Sequence, residues 1–341
     1  MCWLLVDYIF GTSGWDYKEW IGPFYEDKEK KFSFYTKFFR TSEINSTFYM
    51  MPTKAMVYGW YRSAPENFVF SAKLPKTCTH EKRLNPDLKV KNDLLQFLEL
   101  MNPLRLNHKL GAILIQLPPS FVYERDRGNL EAFLEMLPQE FEFAIEFRDH
   151  SWMRNETWNL LRGHNVAYTI VDEPLLPPEV QLTADFAYIR WHGRGERIWY
   201  DYHYGEGELE PWASKIKEVS KKVDKIYGYF NNHYHGYAAE NCVQILEMLN
   251  VASPEQVEIK DKIIQHNLKE RPKAYKTLKE LGALEEEAPG LEDLLINLAG
   301  EARYERARDI KDEEIEIVEA SDEWIQANIR DYVIEVDLEN K

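Results

Sequence analysis

"FAIEFRDHSW", residues 143–152, sets two charges on one face of a short apolar run. Phe143, Ile145 and Phe147 alternate with Ala144, Glu146 and Arg148, which is the period-2 pattern of a β-strand. A strand with one wet face would carry its charges to solvent, as in an antiparallel sheet. A strand covered on both faces would turn them into a site. The other strands of the chain decide between the two.

The first 250 or so residues alternate short β-rich runs with helical runs. Strands are predicted at 4–12, 41–49, 68–75, 110–119, 142–148, 166–172, 186–193 and 225–233. Helices are predicted at 53–64, 90–101, 129–137, 155–163 and 211–223, with another at 236–249 after the eighth strand. The weakest link is 173–185, "EPLLPPEVQLTAD", a proline-rich loop with little helix in it. Strict β-then-α alternation implies parallel strands, and eight such units in about 250 residues match a TIM (β/α)8 barrel. An open doubly wound sheet binding a dinucleotide would need a glycine-rich turn after the first strand, and "GTSGW" is not GxGxxG.

Parity along the strands answers the opening question. One face carries Glu43, Asn45 and Thr47 on the second strand, Ser71 and Lys73 on the third, and Leu114 and Gln116 on the fourth. Glu146 and Arg148 share a face of the fifth, and Asp172 ends the sixth. Tyr188, Arg190 and His192 share a face of the seventh; the eighth offers Tyr227, Tyr229, Asn231 and His233. Polar residues recur near the C-terminal strand ends, where barrel enzymes place their sites. Both barrel faces are covered, so these charges are read as facing into a site.

The chain has 341 residues, 44% of them hydrophobic and 14% aromatic, enough for a sizeable globular core. Three widely spaced cysteines, Cys2, Cys78 and Cys242, form neither a disulfide framework nor a metal signature, which points to a reducing, cytoplasmic setting. "MCWLLVDYIF" is too short and too acidic for a signal peptide or a membrane span, so no membrane association is expected. The net charge of −16 is uneven: residues 285–341 carry −13 and residues 1–284 only −3. No global basic footprint for nucleic acid exists, though a local basic cleft is compatible with these numbers.

Several motifs resemble the domain-of-unknown-function 72 (YecE-like) family. They are "GTSGWDYKEWIGPFY", "SEINSTFYMMP", "FSAKLPKTCTH", "LIQLPPSF", "AIEFRDHSW", "YIRWHGRG", "WYDYHYG" and "YGYFNNHYHGYAAENC", in order over roughly residues 9–250. The resemblance implies a TIM barrel similar in fold to the xylose isomerase and endonuclease IV superfamily. It implies little about reaction, because that family has no settled activity. Cys78 stands where an aliphatic residue is usual, and the segment after 252 is read as lying outside the family domain.

Lys73, Arg148, Arg190 and Arg194 would bring four cations to one mouth, which suits an anionic substrate. Single pairs such as Glu146 with Arg148 or Arg190 also read as structural salt bridges. Glu43, Glu146, Asp172 and His192 are the acid–base candidates, with His192 the best proton shuttle by type. Asn45, Gln116 and Asn231 are candidate polar contacts. Trp15, Tyr17, Trp152 and Tyr202 are candidate aromatic walls, although helix–barrel packing is the commoner fate of such rings. No cofactor is expected. A divalent metal follows only from fold analogy, and arginines among the carboxylates would repel it.

The tail divides further. Ser253, Pro254 and Gln256 open a helix in capping-box style, Pro272 is expected to break it, and 273–282 is read as another short helix. Residues 291–310 read as helix, 314–320 and 332–339 as strands, and 321–330, "SDEWIQANIR", as a capped helix between them. The expected organisation is a YecE-like TIM barrel over 1–251, a helical extension over 252–284 and a small acidic α+β appendage over 285–341. The appendage would serve packing, self-association or docking of a protein partner. The favoured function is an enzyme, its hydrolase, lyase or isomerase class left open. It would act on a phosphate-bearing sugar, nucleotide or nucleic-acid strand by acid–base chemistry at the barrel mouth. The rivals are a non-catalytic nucleic-acid or protein binding module and a metal-dependent isomerase or endonuclease.

Overall fold

Alternating apolar residues with β-branched and aromatic side chains form eight parallel strands in the computed structural model. It describes residues 6–195, 198–282, 315–320, 324–329 and 332–337. The strands are β1 (Asp7–Thr12), β2 (Thr41–Ile44), β3 (Val69–Lys73), β4 (Leu110–Gln116), β5 (Phe143–Glu146), β6 (Ala167–Asp172), β7 (Phe186–Trp191) and β8 (Lys225–Phe230). They close in sequence order, with β8 paired to β1 from Asp7 opposite Lys225 to Thr12 opposite Phe230. The chain is an eight-stranded parallel barrel surrounded by helices.

The helices are α1 (Lys31–Tyr35), α2 (Ser46–Tyr49), α3 (Lys54–Ser63), α4 (Val90–Arg105), α5 (Tyr123–Leu134), α6 (Asn155–Gly163), α7 (Glu206–Val219), α8 (Tyr237–Met248) and α9 (Pro254–Gly282). Outward-facing residues such as Ile113, Ile145, Ile170 and Ile189 pack with Leu94, Phe133, Leu161 and Ile216 in the main core. Inward-facing Ile9, Ala112, Leu114, Ala144, Phe186, Tyr188, Tyr227 and Tyr229 fill the lower lumen as a separate cluster. Small residues make room for large ones there. A Cβ on Gly111 would lie 2.7 Å from the Tyr227 ring, so this position takes no side chain without displacing the tyrosine.

Three expectations are corrected. β2 stops at Ile44, not Tyr49, because the Thr47 hydroxyl donates to the Ile44 carbonyl at 3.2 Å and the Lys73 carbonyl at 2.7 Å. Those bonds turn the chain into α2 at the strand's end. Pro272 does not break the extension: α9 runs from Pro254 through it to Gly282. Within the stretch expected as a capped helix over 321–330, the described residues 324–329 are not helical. Trp324–Ile329 forms β10, paired antiparallel to β9 (Ile315–Ala320) and β11 (Tyr332–Asp337). Ile325, Ala327 and Ile329 pair with Val336, Ile334 and Tyr332, so the period-2 pattern outweighs the acidic cap signal. The predicted helix at 291–310 lies outside the described residues.

The chain separates into two compact units, 1–271 and 272–341. Within the first, the start of α9 belongs to the barrel. Ser253 N–H donates to Gln256 Oε1 at 2.8 Å, and Gln256 N–H donates to Ser253 Oγ at 3.3 Å, a reciprocal cap. Ile259 and Ile263 are buried beneath this helix. A chain ending at Gly282 is therefore expected to keep the cooperative melting of the barrel. One ending at Ala252 should lose roughly 3 kcal/mol or more, from two buried isoleucines and the cap. Urea titration of both truncations checks this. Equal stability of the two would show that α9 contributes nothing to the barrel.

Candidate functional site: a charged cluster at the C-terminal barrel mouth

The alternation of β7 sends Tyr188, Arg190 and His192 into the lumen while Ala187, Ile189 and Trp191 face the helices. Arg190 is wholly buried at the centre. Its Nη1 donates to Glu146 Oε2 and its Nη2 to Glu43 Oε2, both at 2.7 Å. Glu43 also accepts from the Tyr188 hydroxyl at 2.8 Å and from Ser13 Oγ at 2.9 Å. One guanidinium thus ties together β2, β5 and β7, with the end of β1 attached through Ser13.

Above this layer sits Arg148, whose side chain is 10% exposed. It forms an ion pair with Glu146, donates from Nη1 to Glu173 Oε2 at 2.5 Å and lies with its guanidinium carbon 6.0 Å from the Trp199 ring. His192 Nε2 is 3.2 Å from Arg148 Nη2 and 3.2 Å from Arg190 Nη1. The same Nε2 lies 3.4 Å from Glu146 Oε1, and the Asn231 amide nitrogen is 3.1 Å from Nδ1. Chain direction helps here: after His192 the backbone turns at Gly193, whose φ is 88° and whose Cβ position would lie 2.1 Å from the Trp199 carbonyl oxygen. That turn brings Trp199 back over the mouth.

Across the lumen, Lys73 at the end of β3 donates to Gln116 Oε1 at 2.8 Å, with its amine 5.6 Å from the Phe48 ring. Of the four predicted cations it is the one with no carboxylate partner among the described residues. Burial and then the Arg190 charge push the Lys73 amine down to about 7. Glu173 moves the opposite way. Burial raises its carboxyl to about 7, against the pull of Arg148. Burial would raise Glu146 too, but Arg148 and Arg190 hold it well below the usual carboxylate range. Burial, Arg190 and Arg148 push His192 down to about 3, which favours the neutral imidazole.

Glu43, Lys73, Gln116, Glu146, Arg148, Arg190, His192 and Asn231 come together at the mouth, and they differ in availability. Arg190 is corrected from a substrate contact to a buried brace, because its terminal nitrogens are taken by two carboxylates. His192 is buried against two guanidiniums, which favour its neutral form. Asp172 leaves the cluster: it points toward α7, accepting from Trp212 Nε1 at 2.6 Å and from Arg194 at 2.7 and 2.9 Å. Arg194 goes with it. Trp152 is buried, stacked on Phe147 at 4.7 Å and donating to the Phe121 carbonyl at 2.8 Å, so it is packing and not a wall. Trp15 packs on Phe32 and Phe70 at the core's edge. Tyr202 is tied to Glu208 at 2.5 Å. Tyr17 does stand beside the mouth, stacked on His233 at 4.3 Å with Tyr200 beyond it at 5.3 Å, and Asn45 donates to the Ser13 carbonyl at 3.0 Å. Glu173 and Trp199 were missed. Parity could have found the former, since positions 167, 169, 171 and 173 share the lumen face of β6.

Among the described residues no three His, Cys, Asp or Glu side chains gather as a metal-ligand set. Glu43 and Glu146 are both claimed by guanidiniums, so this cluster does not fit a divalent ion. No described helix is long and apolar enough to cross a membrane.

Fold and cluster together define a (β/α)8 barrel with a charged C-terminal mouth. A sequence model described as "Protein of unknown function DUF72" matches residues 9–264, and the chain belongs to that family. The match runs into α9, so the family domain extends past the boundary at 252 expected from the motifs. A DUF72 family protein from Thermotoga maritima is similar in structure, with a TM-score of 0.65 and 35% identity over 72% of this chain and 99% of that one. The UPF0759 protein YunF of Bacillus subtilis is 24% identical over 265 residues, 71% of this chain and 94% of its own length. The UPF0759 protein YecE of Escherichia coli is 30% identical over 139 residues, 40% of this chain and 47% of its own.

Lys73 gives a pH-dependent expectation. Its amine is lowered from an ordinary 10.5 to about 7 in the folded chain. The folded state therefore binds the proton less tightly than the unfolded state, and stability is lost as pH falls from above 10.5 through 7. Replacing Lys73 by Met removes that loss. Lys73→Met should be more stable relative to the parent at pH 6 than at pH 9.5, read from urea midpoints. A difference that does not change with pH would refute an amine perturbed in this direction.

Proposed function

We propose that the mouth is the active site of an enzyme that performs acid–base chemistry on a small anionic substrate, a phosphate-bearing sugar or a nucleotide. One observation carries the reading. Among the described residues, four buried side-chain polar atoms of this cluster have neither a hydrogen-bond nor an ion-pair partner: Asn45 Oδ1, Arg148 Nε, Glu173 Oε1 and Arg190 Nε. Leaving one such atom unpaired costs about 1–3 kcal/mol, so their concentration at a barrel mouth is the mark of a site that completes its bonding on a ligand. A purely structural polar core would satisfy them internally.

Arg148 is the recognition cation in this reading, reachable from the open end and flanked by Trp199. Arg190, Glu43 and Glu146 hold it in place. Glu173 and Lys73 are the proton carriers, because both are tuned to near neutrality from opposite sides. With Glu43 and Glu146 balancing Arg148 and Arg190, moving a proton between those two leaves the net charge of the cluster unchanged.

Calorimetry with phosphorylated sugars, nucleotides and short oligonucleotides tests this. A phosphorylated small molecule should bind, more weakly as salt is raised. Arg148→Gln should cost about 1.5–3 kcal/mol of that binding, the range for a charged hydrogen bond, in a variant shown to be folded. Binding that ignores Arg148→Gln and yields instead to changes on the outer helices would place the function elsewhere.

A further inference from the structure

We propose that Lys73 is a covalent catalytic residue, whose amine forms an imine with an aldehyde or ketone substrate, so that the substrates are carbonyl compounds bearing an anionic group. The inference rests on the reading of the mouth as an active site and narrows its substrate class. Nucleotides without a free carbonyl would then be ligands at most.

The geometry of Lys73 carries the inference. Lys73 stands at the C-terminal end of β3 and is half-buried, with its amine on the lumen side beside Gln116. Its one protein acceptor is Gln116 Oε1 at 2.8 Å. An ammonium group has three N–H donors to place, and two would find no protein partner among the described residues. A neutral amine donates one N–H to Gln116 and keeps its lone pair for attack. Carboxylates favour the ammonium form, yet among the described residues none lies within ion-pairing distance of Lys73; Glu43 on the neighbouring strand β2 and Glu146 on β5 are turned onto Arg190 and Arg148. The charges of Arg190 and Arg148 favour the neutral amine, as does burial, and a lysine beside another cation is a recurring way of activating this nucleophile. Arg148 is then placed to hold the substrate's anionic group while Lys73 meets its carbonyl.

The chemistry balances without a further reactant. The amine lone pair forms a C–N bond to the carbonyl carbon, and the carbonyl oxygen takes up a proton to give a carbinolamine. Loss of the nitrogen's proton and the hydroxyl group as water leaves the C=N bond. Protonated, that imine withdraws electrons from the adjacent carbon and makes its C–H or C–C bond easier to break. This serves isomerase and lyase chemistry alike.

Trapping tests it on the full-length protein. D-glyceraldehyde 3-phosphate with sodium cyanoborohydride at pH 7 should add one reduced adduct per chain, located by peptide mass mapping at Lys73. Labelling there should run at least tenfold faster than at exposed lysines, which are almost wholly protonated at that pH. Lys73→Arg, which keeps the positive charge, should lose the fast adduct while retaining its melting profile. Unphosphorylated glyceraldehyde should label Lys73 more slowly, and Arg148→Gln should abolish that difference between the two probes. Lys73 labelled no faster than surface lysines in the parent protein would overturn the imine whatever the variants do. If the phosphorylated probe still binds reversibly in an Arg148-dependent way, the acid–base reading stands without it; if the probe neither binds nor labels, both fail.

Discussion

Everything at the mouth depends on a guanidinium that no solvent reaches. Arg190 is buried in the lumen between Glu43 and Glu146, each at 2.7 Å. Burying that charge is costly on its own, and the two carboxylates are equally costly without it, so the three are stable only as a set. Removing one member of such a set typically costs 3–5 kcal/mol because the rest stay buried and unpaired. The brace spans three non-adjacent strands, β2, β5 and β7, and fixes their C-terminal ends relative to one another. Glu146 is held by Arg190 through one oxygen and ion-paired to Arg148 through the other. The reachable arginine is thus positioned by the unreachable one.

The same arrangement sets the proton chemistry. Two arginines matched by Glu43 and Glu146 leave little net field to spend on further charges. Glu173 shares Arg148 with Glu146 and receives only part of its attraction, so burial wins and its carboxyl rises. Lys73 receives repulsion from both arginines without a carboxylate of its own, and its amine falls. His192 shows the limit of the effect. Its Nε2 lies 3.2 Å from both guanidiniums, and burial and these charges favour the neutral imidazole, far from the ordinary behaviour of the residue.

How much of this was legible in the chain depends on which regularity each residue obeys. β5 and β7 are read correctly because strand parity is a local rule, and Glu146, Arg148, Arg190 and His192 obey it. Asp172 and Glu173 were exchanged for a related reason. Asp172 closes the apolar run and draws attention, but it lies on the outward parity and meets Trp212 and Arg194. Glu173, one residue on, has the inward parity and the site. Availability was not legible at all. Whether an arginine binds substrate or braces carboxylates depends on partners 44 and 147 residues away in sequence. Trp152 follows the same logic, since only the fold brings Phe121 against it. In the second unit, the acidic start of 321–330 imitates a helix cap, and only pairing with β9 and β11 reveals the strand.

The missing helix between β6 and β7 bears on why the site lies where it does. In other units of the barrel a helix returns the chain to the next strand. After β6 the described chain passes through Pro174, Pro177 and Pro178, which restrict it to extended conformations. The first residue of this loop keeps the inward direction of the strand, as Ser13 and His192 do after β1 and β7. Glu173 therefore continues the lumen face one position beyond β6, at the height of Arg148 and His192. The proline-rich stretch that looked like the barrel's weakest link is what extends its charged layer.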